Sequence, residues 1–233
     1  MSDTLKYWYL RDHKLFQVLK NEQIKQLCII TGFKKAKHNE IIRLSEIEEP
    51  RIFLLKKGRI KLTVTDEAGN ESVEDLLERG DLFGALTLEP DTTYTTEAKV
   101  LSDEVLICSF TVADFENLLL KYPELALSYT KFVGFKMRRI RNSYQNLMRK
   151  EAKSRLLYFL NDWSEKDGVK TGSTVTLENF LTQADISQII CSSRQTAVQL
   201  LSELENTGVI TYNRKEITFP NYANFKKLVA SVG

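Results

Sequence analysis

Hydrophobic and polar positions change period along the chain. Over 12–29 (DHKLFQVLKNEQIKQLCI), Leu15, Val18, Leu19 and Leu27 share one helical stripe, which predicts a short amphipathic helix. From 40 to 110 the apolar residues gather in short runs rich in Ile, Leu and Val: IIRLSEI, RIFLLK, RIKLTVT, ESVEDLL and EVLICSF. Turn signals separate them at Lys57-Gly58, 66–70 (DEAGN), 79–81 (RGD) and Glu89-Pro90-Asp91. Five to eight short strands at this spacing read as an antiparallel barrel or jelly roll.

After Phe110 the period becomes helical. Thr111 and Asp114 have capping-box spacing ahead of FENLLL. Pro123 suits the first turn of a further helix, where its missing N–H would be unpaired anyway. That helix runs from about Glu124 to Arg149, with Gly134 as its only glycine, and would be roughly 40 Å long at 1.5 Å per residue. Ala126, Val133, Ile140 and Leu147 fall seven apart, with Thr130, Met137 and Tyr144 between them. This is the 3,4 alternation of a two-stranded coiled coil. The alternative is a helix packed on its own domain. Lys136, Arg138, Arg139 and Arg141 flank the seam, and a helix buried all round does not tolerate four cations. Dimerisation is therefore expected, with Val133, Met137, Ile140, Tyr144 and Leu147 at the interface. The polar run 147–155 (LMRKEAKSR) looks like a hinge. The expected organisation is a β-barrel domain over 1–122, the dimerisation helix and hinge over 123–150, and a second domain over 151–233.

Residues 182–206 (TQADISQIICSSRQTAVQLLSELEN) predict two short helices joined by a tight turn at Cys191-Ser192. Thr182 caps the first helix, and Ser192 or Ser193 the second; Ser192 with Gln195 has capping-box spacing. Ile186, Ile189, Ala197, Leu200, Leu201 and Leu204 supply the packed faces, while Arg194, Gln195, Gln199 and Ser202 lie on the other side. Gly208 ends the second helix in a left-handed cap. Two short runs, 209–212 and 216–219, then form a hairpin around Asn213-Arg214-Lys215. A helix-turn-helix followed by such a wing places its second helix in the major groove of DNA.

Charge sharpens this picture. The net charge is +2, and residues 1–148 balance at 22 basic and 22 acidic. Between 131 and 155 there are nine basic residues against one acid, Glu151. Such a run is either a solvated helix face or a surface for anions or nucleic acid. The chain's 233 residues are 42% hydrophobic and 27% charged, near the averages of soluble globular proteins. Cys28, Cys108 and Cys191 are too few and too scattered for a disulfide framework or a four-cysteine metal site, and His13 and His38 have no ligand pattern around them. No metal is expected. No apolar run approaches the roughly 18 residues that cross a bilayer, and the start lacks a secretion signal, so a cytoplasmic protein without a membrane partner is expected. An enzyme is not expected: no Gly-rich phosphate loop follows a strand, there is no Gly-x-Ser-x-Gly, and neither His sits in a triad or metal context.

The order of strand-rich domain, long helix, hinge and winged helix resembles the Crp/Fnr family of bacterial transcription regulators. The resemblance is carried by FLLKKGRIKLTVTDEAGNE (53–71), RGDLFGALTL (79–88) and ISQIICSSRQTAVQLLSELENTGVI (186–210). It implies an α+β chain: an N-terminal, cyclic-nucleotide-binding-like antiparallel jelly roll, a long dimerisation helix and a C-terminal winged helix-turn-helix. It also implies a homodimer on palindromic double-stranded DNA, with RNA polymerase as a partner and activation the commoner mode. By the same resemblance Arg194 reads guanine, worth about 1–3 kcal/mol of discrimination. Ser193 caps the helix and touches phosphate. Gln195 stands where the family often has Glu, and Gln199 where a second Arg is frequent, so the half-site is expected to differ from that of the cAMP-responsive members. Gln183, Lys150, Lys153, Arg155 and Arg214 or Lys215 are candidates for phosphate contact.

The effector pocket departs from the cAMP-binding pattern. Those members carry Gly-Glu-Leu after the Gly-Asp turn, then an Arg-Ser or Arg-Thr pair. Here Ala85 follows Gly84, and no basic residue occurs between Gly84 and Lys99. A buried phosphate without a cation is costly, so cAMP is not expected. The iron–sulfur branch needs clustered N-terminal cysteines, and only Cys28 is there. Phe83, Gly84, Ala85, Leu86 and Thr87 instead resemble the cassette of the 2-oxoglutarate-binding nitrogen-control regulators, in which backbone N–H groups and a cation from the long helix hold carboxylates. Lys136 or Arg141 would supply that cation. No fixed cofactor is expected, and the effector is a small anionic metabolite or none. A sensor module acting on a protein partner is the alternative function; the serine-led helix and the wing have no use in it.

Overall fold

The computed structural model describes residues 3–44, 49–84 and 95–232. The chain forms two compact units, Met1–Arg138 and Arg139–Gly233, which divide within the longest helix.

In the first unit, α1 (Asp3–Arg11), a 3-10 turn (Lys14–Phe16) and α2 (Asn21–Ile30) precede eight strands: β1 (Gly32–Lys37), β2 (Ile41–Arg43), β3 (Arg51–Lys57), β4 (Ile60–Thr65), β5 (Glu71–Leu77), β6 (Leu82–Gly84), β7 (Thr95–Val100) and β8 (Glu104–Thr111). They make two antiparallel sheets, ordered β1-β8-β3-β6 and β2-β7-β4-β5. Alternate residues of β3 explain its unbroken apolar run. Phe53 and Leu55 enter a core between the sheets with Ile60, Leu62, Ala98, Val100 and Ile107. Ile52 and Leu54 face the other way, with Cys108 and Phe110, onto Leu15, Phe16, Leu19, Leu27 and Phe115. A strand buried on both faces reads as continuously hydrophobic. β1 is an edge strand whose Lys34 and Lys35 are exposed.

The expected single helix over 12–29 is broken. His13 caps the 3-10 turn, and Lys20 is extended at φ −74°, ψ 160°, so helical phase restarts at Asn21. Leu15, Leu19 and Leu27 are buried as the stripe requires, but Val18 is exposed. The turn expected at Glu89-Pro90-Asp91 lies outside the described residues. α3 (Val112–Lys121) starts where Thr111 Oγ1 accepts the Asp114 N–H at 3.0 Å. α4 (Pro123–Arg149) follows, with Pro123 in its first turn.

Polar groups fasten the N-terminal segment to the strands. His13 Nδ1 accepts the Leu15 N–H at 3.2 Å, which leaves the proton on Nε2 to donate to Gly80 O at 2.9 Å. Arg79 pairs with Asp12, and the buried Lys56 ammonium donates to Tyr9 O. Burial lowers His13 to about 4 and Lys56 to about 8. Between pH 6.5 and 4 the unfolded histidine takes up a proton that the folded one refuses. Acidification through that window therefore costs about 3 kcal/mol of stability from this group. His13→Asn keeps a capping oxygen for Leu15 but removes the titration. Urea denaturation at about pH 7 and pH 4.5 is expected to show a smaller acid loss in the variant; equal losses would clear His13 of the role.

The second unit contains α5 (Ala152–Asp167), β9 (Val169–Thr171), β10 (Thr174–Glu178), α6 (Gln183–Ile189), α7 (Arg194–Asn206), β11 (Thr211–Tyr212), β12 (Glu216–Phe219) and α8 (Tyr222–Ser231). Its strands run in the order β11-β12-β10-β9. The core joins Leu156, Leu160, Leu177, Ile186, Leu201, Ile217 and Phe225, all at most 2% exposed. Among the described residues no helix is long and apolar enough to cross a membrane, and no cluster of His, Cys, Asp or Glu is arranged to hold a metal.

Candidate nucleic-acid interface and effector site

The start of α6 is held by a reciprocal capping box. Thr182 Oγ1 accepts the Asp185 N–H at 3.1 Å, and Asp185 Oδ2 accepts the Thr182 N–H at 2.9 Å. The helix ends at Ile190, and Cys191 turns the chain at φ +49°. Ser192 then donates its N–H back to Ser187 O at 2.8 Å. Of the two candidate caps, Ser193 is the one used: its Oγ accepts the Thr196 N–H at 3.0 Å. Arg194 is thereby the first residue of α7. Ala197, Leu201 and Leu204 are buried, and Arg194, Gln195, Gln199 and Ser202 are exposed. Gly208, at φ +70°, closes α7 as expected and donates to Glu205 O at 2.9 Å.

The wing is fastened by a residue that sequence reasoning missed. Buried Asn179 donates Nδ2–H to Asn213 O at 2.7 Å, and its own N–H to Lys215 O at 2.7 Å. Asn213 Oδ1 in turn accepts the N–H groups of Lys215 and Glu216. Arg214 and Lys215 are exposed at the tip. An Asn directly after a strand was the available signal, because its amide can substitute for backbone partners in a turn.

The basic run resolves into different roles. Lys153 pairs with Glu203 of α7. The Lys150 ammonium sits over the Tyr158 ring, 3.2 Å from its centroid. Arg155, expected at phosphate, is turned inward: its guanidinium donates to Ile190 O, Cys191 O and Lys150 O. Three backbone carbonyls thus take up three of its five N–H donors. Gln183, half-buried, is the first residue of α6.

On the long helix, Leu125, Tyr129 and Phe132 pack against the first unit's core. The seam residues Val133, Met137, Ile140, Tyr144 and Leu147 are 39–62% exposed in the single chain.

In the candidate effector region, Phe83 is buried and stacks on Phe53 at 5.0 Å between centroids. Gly84 takes φ +85°, and a Cβ there would lie 2.3 Å from Arg51 O. Ala85, Leu86 and Thr87 lie outside the described residues. Lys136 reaches the same strand, donating Nζ–H to Leu82 O at 2.6 Å. Partial desolvation and Asp75 raise the Glu74 carboxyl, and the Lys136 charge opposes that rise. Arg141 is an exposed residue of the second unit. Lys136 is thus a cation that touches β6.

The family model of the cyclic nucleotide-binding domain matches residues 33–122, and that of the Crp-like helix-turn-helix domain matches 154–228. The chain belongs to the Crp/Fnr family. Its relatives within Crp/Fnr include the global nitrogen regulator of Nostoc sp., 28% identical over 172 residues, covering 72% of this chain and 76% of the relative. The CRP-like cAMP-activated global transcriptional regulator of Mycobacterium tuberculosis is 22% identical over 167 residues, covering 72% and 74%. Among solved structures, a CooA variant from Carboxydothermus hydrogenoformans superposes with a TM-score of 0.72 at 22% identity, covering 94% of this chain and 97% of that one. FixK2 from Bradyrhizobium japonicum gives 0.69 at 17% identity, covering 85% and 97%. These structures share the fold: antiparallel sheets, long helix and C-terminal helix-turn-helix. Crp/Fnr proteins are DNA-binding transcription regulators and not enzymes, and so is this one.

Proposed function

We propose that the chain acts in the cytoplasm as a homodimer that recognises a palindromic duplex through α7. It activates transcription by contact with RNA polymerase, and its effector is a small anion other than cAMP, or none. The observation that carries the reading is the single face of α7: Arg194, Gln195 and Gln199 stand exposed behind the Ser193 cap, while the opposite face is packed. Side chains at the amino end of a recognition helix meet base edges, and Arg and Gln have the paired donors and acceptors to read them. Ser193, Gln183 and Lys153 contact phosphate, Lys153 by exchanging Glu203 for a phosphate oxygen. The apolar stripe from Val133 to Leu147 supports pairing of two long helices, which sets the recognition helices about 34 Å apart, one DNA turn. The Lys136 ammonium beside Leu82 O supports an anion held at the cassette of Phe83 to Thr87, with Arg141 the second candidate cation.

Selection of bound sites from random duplexes, with light scattering of the same preparation, tests this. A dimer and a two-fold consensus unlike that of the cAMP-responsive members are expected. A monomer that prefers no sequence would refute the reading. Calorimetry with small dicarboxylates tests the effector separately, and a flat trace with the active dimer favours the ligand-free alternative.

A further inference from the structure

We propose that Arg155 is a positioning residue that locks the start of the recognition helix to the end of the long helix. The proposal rests on the reading of α7 as the DNA-reading helix. The hydrogen-bond ladder of α4 ends with the Lys150 N–H on Asn146 O at 3.0 Å, and Glu151 leaves the helix at φ −67°, ψ 161°. The last carbonyls of a helix lack partners within it. Arg155, in the first turn of α5, reaches back and donates Nη1–H to Lys150 O. The same guanidinium donates Nε–H to Ile190 O at 2.7 Å and Nη2–H to Cys191 O at 3.1 Å.

One rigid planar group therefore joins two helix ends far apart in sequence: that of α4 and that of α6. Both present carbonyls with partial negative charge, which suits a cation. The acceptors at 190 and 191 also frame the turn that aims α7. Cys191 occupies the left-handed region, costly for a residue with a side chain. Only with that turn in place does the Ser192 N–H meet Ser187 O and Ser193 become the cap. Lysine cannot replace this fork, because its donors radiate from a single point. Lys153 on Glu203 ties α5 to α7 a second time. A shift of the last turn of α4 is passed through Arg155 to the residues that set where α7 begins.

The test uses the full chain, wild type beside Arg155→Met and Arg155→Lys. Affinity for the selected duplex and for a scrambled one is measured across a salt series. Both variants are expected to lose about tenfold on the selected duplex, little on the scrambled one, and to keep the wild-type salt slope. A slope shallower by about 1.8, about 0.9 for each copy, with an unchanged preference would make Arg155 a phosphate contact and overturn the proposal. So would unaltered affinity. Hydrogen exchange reads the same point without DNA. Faster exchange confined to the amides of 190–196 supports positioning, whereas faster exchange spread over β9–β12 and α8 assigns Arg155 to general stability and overturns it. A wild type that prefers no duplex sinks the DNA reading, and the exchange measurement still decides the role of Arg155.

Discussion

Arg194→Ala is expected to remove most of the protein's preference for its selected duplex. The side chain is exposed at the first position of α7 and has no hydrogen-bond or ion-pair partner among the described residues, so nothing must be broken before it meets a base. A bidentate Arg–guanine contact is worth about 1–3 kcal/mol, and a two-fold complex makes it twice. The combined loss is about 2–6 kcal/mol, or at least roughly 30-fold in affinity. Binding to a scrambled duplex depends on phosphate contacts and should change little. Competition mobility shifts with both duplexes check this. If both affinities fell by the same factor, Arg194 would be holding the backbone rather than reading a base.

Gly84→Ala is expected to cost the first unit about 3 kcal/mol or more. Two effects add at this position. The left-handed φ of +85° penalises any side chain by about 1–2 kcal/mol. The new methyl would also lie 2.3 Å from Arg51 O and 3.1 Å from Phe53 Cδ2, and the backbone oxygen has little freedom to withdraw. Gly69 is the internal control: its φ is +83°, but a Cβ there has no atom within 4 Å. Urea denaturation of Gly69→Ala reports the conformational cost alone, and the difference between the variants isolates the close approach of β6 to β3. Equal losses would mean that β6 moves aside freely, and the cassette strand would not be held as tightly as its pairing with Ile52 implies.

Much of this architecture is legible in the sequence wherever burial acts through a simple period. β3, β4, β5 and β8 announce themselves as apolar runs, and α4 by its helical period. Thr182 and Gly208 mark helix ends because local backbone chemistry decides them. β1 (GFKKAK) and β7 (TTEAKV) do not stand out: the edge strand buries Ala36 alone, and β7 buries Ala98 and Val100. Neither has enough hydrophobic residues to betray its period. The pattern of residues likewise does not single out β9, β10 and α8. The tie between Ser192 and Ser193 is settled by the backbone of Cys191, which a residue pattern does not display. Arg155 is harder still. In the sequence it is one cation in a basic run, and its acceptors at 190 and 191 lie 35 and 36 positions away. Lys136 meets Leu82 O across 54 positions. Contacts of this kind are made by the fold and leave no local trace.

The lysines of β1 bear on how copies of the chain can meet. An uncovered strand edge offers unpaired backbone groups to the next molecule, and additions there have no natural end. Lys34 and Lys35 stand exposed on that border, with Glu40 and Glu104 as their counterions, and these hydrated charges would have to be desolvated before a second border could pair with it. Contact through the helical stripe of α4 is different in kind, because each copy that docks covers the surface a third would need. Under the proposed pairing through α4, charge on one border and an apolar stripe on one helix would together favour a pair that stops growing over a fibre that does not.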